Sequence, residues 1–421
     1  MDKENFSMKK IITLSYYADF SRFFNCTFSF AEKNKIDHID LCVNFSAKAY
    51  NILNNVKSVY LPLAVKDYNA NNLDFDTSSD IYDDVEVYYL ENTPSWYSTK
   101  KKQYLNYFYD LFLQEKPDLV IVSGDSRVAA NCCSVIAKLL GLKLLHMEQG
   151  PINTTILDPI GVNANCSFRS NNYTSKNDRY LSSKKNEKIA KWNNYKWYRV
   201  LDLLSTPITS FFYKEVENNW SGFIKKNGIK QSLNACSNFT NKKILLILQV
   251  PHDVNMKVHS PHFSNHTDII RAVRDAIPDE YTLIVREHPL FKGQYDEELY
   301  FLVESSHNVV ISNNDRLDVA INSSELTIVN NSTVGLEALF LNSPLVVLGN
   351  SYYDNPKFVY KYNGSGLDKL ILKAISEPID SLIVTERLNY LFNEHFIDGH
   401  FRDLDTKRFQ SIWRVIDELL I

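Results

Sequence analysis

The sequence predicts an α/β fold made of two Rossmann-like domains, and three observations lead there. Short apolar runs rich in Val, Ile and Leu alternate with helix-length amphipathic segments along most of the chain, the pattern of parallel sheets joined by crossover helices. At 421 residues the chain has room for two domains of about 200 residues. The stretch from Thr327 to Gly349 reads as one strand–helix–strand step. Apolar Thr327-Ile328-Val329 runs into the polar turn Asn330-Asn331-Ser332-Thr333, a helix from Val334 to Leu341 holds Gly335, and Pro344 precedes a strand from Leu345 to Leu348. Hydroxyls and helix N–H groups at the carboxyl end of a strand suit an anion, most simply a phosphate.

The first half supplies strands at Lys10 to Leu14, Ile39 to Val43, Ser58 to Leu63 and, with weak alternation, Val85 to Leu90. A Tyr- and Phe-rich helix follows the first strand and reaches Glu32. Trp96 to Gln114 is a long helix, because Tyr104, Phe108, Leu111 and Phe112 recur at three- and four-residue spacing. Pro117 punctuates before the β-branched strand Leu119 to Val122. The turn Ser123-Gly124-Asp125-Ser126-Arg127 leads to a helix from Val128 to Leu140, capped by Gly141, and a strand from Leu142 to Met147. Asp158 to Asn163 reads as a loop.

The middle is less regular. Residues Asn171 to Lys196 are polar and include Ser182-Ser183-Lys184-Lys185; Trp197 to Lys243 is the crossing region, with Gly228 and Ser232 to Asn241 as linker. Beyond it come strands at Lys243 to Val250, Tyr281 to Val285 and Asn308 to Ile311, with helices at Asp268 to Ala276 and Asp315 to Asn322. Arg402 to Ile421 is a terminal amphipathic helix through Phe409, Ile412, Val415, Ile416 and Leu419. The expected division is 1–235, 243–400 and a helix 401–421 packing back on the body.

Composition narrows the function. A net charge of −4 argues against a nucleic-acid partner, which calls for a basic face. No apolar run approaches a membrane span or a signal-peptide core. The six cysteines are dispersed without a CxxC pair, so reduced thiols are expected. GxGxxG and GxxxxGK[ST] are both absent, which disfavours a dinucleotide enzyme and a P-loop ATPase.

Chemistry concentrates where polar residues follow apolar strands. Asn331, Ser332 and Thr333 can hold a phosphate or simply cap the helix; Glu337, one turn in, can hold a ribose diol or form an ion pair. Arg286-Glu287-His288-Pro289 follows another strand, and its guanidinium and imidazole suit a phosphate or carboxylate. Asp253, after Gln249-Val250-Pro251-His252, is a base, a nucleophile or a helix cap. Glu148, in His146-Met147-Glu148-Gln149-Gly150-Pro151, is an acid/base group or pairs with Arg127 or Arg169. His252, His259, His262 and His266 lie close in sequence, but only the last two have helix-face spacing and no HExxH occurs, so no metal is expected.

Taken together, Glu148 to Pro151, Asp158 to Asn163, Gln249 to Asp253, Glu287-His288-Pro289 and Asn331 to Ala338 with Gly349 and Tyr352-Tyr353 resemble the bacterial capsule polysaccharide biosynthesis family, including its retaining β-Kdo glycosyltransferases. Members often carry Glu-Glu-Gly, an aromatic and Arg-Pro where this chain has Glu148, Gln149, Gly150 and Pro151. The resemblance implies a GT-B arrangement, two facing Rossmann-like domains with acceptor choice in the first and the nucleotide sugar in the second. It implies transfer of Kdo from CMP-Kdo to a growing capsule or lipopolysaccharide glycan. Asp253 would be the nucleophile that forms a glycosyl-enzyme, Glu148 the acid/base, and Arg286, His288, Asn331, Ser332, Thr333 and Glu337 the donor-binding residues. CMP leaves an already activated sugar, so no metal or cofactor is implied. Partners would be the nucleotide-sugar donor and an oligosaccharide or lipid-linked acceptor, in the cytoplasm and peripherally at the inner membrane face. The alternatives are transfer from CMP-sialic acid or a UDP-sugar, a two-domain UDP-sugar epimerase, and a non-catalytic polysaccharide-assembly protein.

Overall fold

The structure is a computed structural model that describes residues 8–31, 35–69, 71, 73, 75, 96–178, 196–213, 242–251 and 253–421. The expected strand at Val85 to Leu90, the Ser182-Ser183-Lys184-Lys185 stretch, the linker residues Gly228 and 232–241, and His252 lie outside the described residues. Two compact units emerge. One comprises Met1–Val162, Glu187–Asn219 and Glu394–Ile421; the other Asn163–Asn186 and Trp220–Asn393. Each unit therefore draws on separated stretches of chain, where the sequence suggested one division near 235–243, and the terminal helix belongs to the first unit.

In the first unit β1 (Lys9–Ser15), β2 (Ile36–Cys42), β3 (Ser58–Tyr60), β4 (Leu119–Ser123) and β5 (Leu144–Gln149) run parallel in the order β3-β2-β1-β4-β5, and β6 (Thr154–Asp158) joins antiparallel to β5. Side chains alternate between the two faces. Ile12, Leu14, Val120 and Val122 pack with Tyr104, Phe108 and Ile136 from the helices Trp96–Glu115 and Val128–Leu139. Ile11 and Ile121 face the other way, onto Phe23, Phe24, Phe409 and Ile412. Burial on both faces is why these strands read as unbroken apolar runs.

The second unit carries β7 (Lys243–Ile247), β8 (Thr282–Arg286), β9 (Val309–Ile311), β10 (Leu326–Val329), β11 (Leu345–Val347) and β12 (Tyr360–Lys361), all parallel, in the order β9-β8-β7-β10-β11-β12. That is the 3-2-1-4-5-6 order of a Rossmann fold. The chain moves outward one way from β7 and the other way from β10, so strand order reverses between these two neighbours. Both units are thus Rossmann-like α/β folds. A late strand, β13 (Phe396–Asp398), pairs antiparallel with β6 and completes the first unit's sheet.

Three local expectations are corrected. The strand expected through Leu63 stops at Tyr60, and Leu61–Ala64 is a helical turn with Pro62 at its start, where proline lacks nothing a helix needs. Asp158 ends a strand rather than opening a loop, and its carboxylate then accepts the N–H groups of Ile160 at 2.8 Å and Gly161 at 3.2 Å. The terminal helix begins at Phe409, not Arg402: Asp403 accepts the His400 N–H at 2.9 Å in a turn, and Thr406–Arg408 is a 3-10 turn capped by Asp405, whose carboxylate accepts the Lys407 N–H.

Candidate functional site

Ile247, Arg286, Val329 and Val347 end four adjacent parallel strands of the second unit. A cavity opens at these ends, lined by Gln249, Asp253, His288, Asn331, Ser332, Thr333, Asn350 and Tyr352 among others. It lies where strand order reverses, the position at which open α/β sheets hold ligands.

Backbone contacts fix the cavity floor. Asn331 Nδ2 donates to the carbonyls of Asn255 at 2.9 Å and His259 at 3.0 Å, and the His259 carbonyl also accepts the Asn350 N–H at 2.7 Å. Gly349 must be glycine: a Cβ there would lie 2.6 Å from Asn330 Oδ1 and 2.7 Å from the His259 carbonyl. Gly335 admits the Tyr353 ring, whose hydroxyl donates to the Ser332 carbonyl.

The helix N–H groups expected to be open are engaged internally. Val334 N donates to Ser332 Oγ at 3.3 Å and Gly335 N to the Ser332 carbonyl at 3.0 Å. What this turn presents is side-chain hydroxyl. Thr333 is exposed and makes no cap bond.

Asp253 caps the helix Val254–Val258, Oδ1 accepting the Asn255 N–H at 3.0 Å, so the capping role and a place in the cavity coexist in one carboxylate. His288 is held by its neighbours. Its N–H donates to Tyr295 Oη at 3.0 Å, and its Nδ1 accepts the Leu290 N–H at 3.3 Å, which leaves the ring proton on Nε2. Burial lowers its pKa and keeps the ring neutral. Glu287 is structural: it is buried and accepts from Gly293 N at 3.0 Å, Tyr300 Oη at 2.5 Å and Asn313 Nδ2 at 2.7 Å. Arg286 donates to the Asp315 carbonyl at 2.8 Å and is not among the cavity's lining residues. Neither is Glu337, whose carboxyl pKa is raised by burial and by the Asp318 charge.

Behind the cavity wall sits a cluster the sequence does not announce. Arg169 Nε and Nη2 each lie 2.8 Å from a carboxylate oxygen of Asp354, and Lys361 Nζ lies 3.2 Å from the same group. Lys361 also donates to the Gly349 carbonyl and, at 3.1 Å, to Asn350 Oδ1. Arg169 and Asp354 are 185 residues apart, and no local spacing signals such a pair.

Glu148 belongs to the first unit, at the end of β5. In the Glu-Gln-Gly-Pro segment Glu148 and Gln149 end β5, and Gly150 and Pro151 open the turn to β6: Gly150 N donates to the Thr154 carbonyl at 2.9 Å, and a side chain at Gly150 would collide with Thr154. Burial pushes the Glu148 carboxyl up to about 7, against the Gln149 N–H at 2.8 Å and the charges of Arg127 and Arg402; Asp125 adds to the rise. The cavity thus brings together Asp253, His288, Asn331, Ser332 and Thr333.

Two of the histidines close in sequence pack on tyrosine rings: His262 stands edge-on to Tyr362 at 5.1 Å and His266 to Tyr295 at 5.2 Å. Among the described residues no helix is long and apolar enough to cross a membrane.

Residues 175–401, more than half of the chain, match a family model described as capsule polysaccharide biosynthesis protein. Protein FixF of Sinorhizobium fredii is 26% identical over 166 residues, a match that covers 39% of this chain and 40% of that protein's length. Among solved structures, KpsC of Thermosulfurimonas dismutans, a β-Kdo 2,7 transferase, is similar with 14% identity, coverage of 91% of this chain and 99% of that one, and a TM-score of 0.40. The S. aureus MnaA–UDP co-structure is similar with 15% identity, 98% and 96% coverage, and a TM-score of 0.36. At these identities such likenesses concern fold alone.

Proposed function

The chain belongs to the capsule polysaccharide biosynthesis protein family, and from that premise we propose that it is an enzyme acting on a nucleotide-activated sugar, a retaining transferase of Kdo from CMP-Kdo to a capsule or lipopolysaccharide glycan. The observation that carries the reading is the cavity at the reversal point of the second unit's sheet, where Asp253, His288, Ser332 and Thr333 converge.

In this reading the hydroxyls of Ser332 and Thr333 and the Nε2–H of His288 hold the nucleotide phosphate as neutral donors. The Asp253 carboxylate, oriented by its bond to Asn255 N, attacks the anomeric carbon. The bond from that carbon to the phosphate oxygen breaks and CMP leaves with the electron pair. An acceptor hydroxyl then displaces Asp253, and its proton passes to Glu148. A carboxyl with a pKa of about 7 is poised for that transfer. Two displacements give retention. The acceptor is an oligosaccharide or lipid-linked glycan, met in the cytoplasm at the inner face of the membrane.

A second reading, epimerisation of a UDP-sugar, is favoured by one feature. A carboxylate and a neutral imidazole, Asp253 and His288, line a single cavity, and that acid/base pair serves a reaction needing no acceptor.

Intact-protein mass spectrometry with CMP-Kdo separates the readings. Glu148→Gln should accumulate a glycosyl-enzyme, and the added mass should vanish in the double variant with Asp253→Asn. Full transfer by Asp253→Asn sinks the nucleophile assignment. Conversion of a UDP-sugar to its epimer without acceptor, and inertness toward CMP-Kdo, would establish the second reading.

A further inference from the structure

Gln249 is 5% exposed and lines the cavity, yet neither Nε2 nor Oε1 of its carboxamide has a hydrogen-bond partner. Buried side-chain amides are nearly always satisfied, because an unmet donor or acceptor forfeits its bond to water without replacement. Its main chain is by contrast well held: the Gln249 carbonyl accepts from Tyr295 Oη at 2.8 Å, and the same hydroxyl receives the His288 N–H. A fixed backbone therefore carries an idle amide at the end of β7.

Two neighbours say what the amide awaits. Asn331 Oδ1 is a second buried atom without a partner, and its identity as oxygen is fixed because Nδ2 donates to two carbonyls. Asp253 adds a carboxylate to the same lining. A phosphate brought against these oxygens meets only acceptors. A hydroxyl fits, since it can donate to Asn331 Oδ1 or Asp253 and accept from Gln249 Nε2. The carboxamide breaks no hydrogen bond when it turns toward an entering ligand.

We propose that Gln249 is a specificity-determining ligand contact that engages the hydroxyl-bearing part of the bound nucleotide sugar, the ribose or the transferred sugar, and not its phosphate. The inference rests on the reading above that this cavity holds a nucleotide sugar.

The test pairs stability with affinity. Gln249→Met keeps the volume and removes the polar atoms; Gln249→Leu is the second variant. Thermal melting is compared with calorimetry against CMP, UMP, CMP-Kdo and UDP-N-acetylglucosamine. The variants should melt at or above the unaltered protein, because unmet polar atoms have been removed. Whichever nucleotide sugar the unaltered protein binds, the variants should bind it about tenfold more weakly, the effect of one lost hydrogen bond. A loss already present with CMP or UMP assigns the contact to the ribose. A loss confined to the nucleotide sugars assigns it to the transferred sugar. Undiminished binding, or melting well below the unaltered protein in both variants, overturns the inference and leaves the nucleotide-sugar reading standing. An unaltered protein that binds none of the four overturns both.

Discussion

Arg169 grips Asp354 with two prongs, Nε and Nη2 each 2.8 Å from one carboxylate oxygen. Lys361 closes on the same buried group from 3.2 Å. One carboxylate thus balances two cations, and through Lys361 it holds Gly349 and Asn350, the cavity wall that follows β11. Burial lowers the Lys361 pKa while Asp354 opposes the shift. Asp354→Asn leaves both cations without a counter-charge and should cost about 3–5 kcal/mol, the range for breaking a buried pair from one side. Urea unfolding measures it, and Arg169→Lys, which keeps the charge but loses the fork, should cost less.

Ser332 and Thr333 contribute little to folding, since the only cap-like bond at their turn is the 3.3 Å contact from Val334 N. Ser332→Ala combined with Thr333→Ala should therefore lower stability by about 1 kcal/mol or less. Nucleotide binding should fall by more than that. Calorimetry with CMP beside thermal melting of the same samples checks the difference.

Glu148 has its carboxyl raised to about 7, and the sign of its linkage follows. The folded state holds the proton between the ordinary value of 4.5 and about 7, so stability falls as pH rises through that window. Glu148→Gln should remove the fall and leave the variant relatively more stable at pH 8 than at pH 5. If Glu148 is the base, transfer should rise through about pH 7, and that limb should be missing from the residual rate of the variant. Denaturation at the two pH values and a pH–rate profile report these separately.

His400 titrates the opposite way. It is buried, and burial, with Arg402 and Arg22 nearby, lowers its pKa from 6.5 to about 4. Stability from this group is complete above pH 6.5 and is lost as pH falls toward 4, by about 3 kcal/mol at the low end. His400→Asn should flatten that acid limb in a series of unfolding curves.

The apolar strands were legible because burial on both faces writes them as β-branched runs; Leu119 to Val122 and Thr327 to Val329 differ from β4 and β10 by a residue at one end. Strands of two or three residues, such as Tyr360–Lys361 and Phe396–Asp398, carry too few positions for a period. The strand-end rule picked out Asp253, His288, Ser332 and Thr333, which line one cavity. It also drew in Arg286, whose guanidinium donates to the Asp315 carbonyl and which is not among the cavity's lining residues. Glu287, between Arg286 and His288, is a brace, accepting from Gly293 N, Tyr300 Oη and Asn313 Nδ2. Lys361 drew no reading, and Arg169 was offered as a partner for Glu148 where the structure gives it Asp354, a residue far along the chain.

The pairing of β13 with β6 has a consequence for synthesis. Phe396–Asp398 and the helix Phe409–Leu420 follow the second unit in the chain, yet the helix covers Phe23 and Phe24, and the stretch between the two supplies the carbonyls of Phe401 and Asp403 that Arg22 Nη2 binds at 2.9 and 2.8 Å. The second unit has its whole sheet, through Lys361, before those residues emerge. The first unit therefore cannot close until residues that follow the second unit in the chain have been made, and until then the helix Ala18–Phe28 carries an uncovered aromatic face.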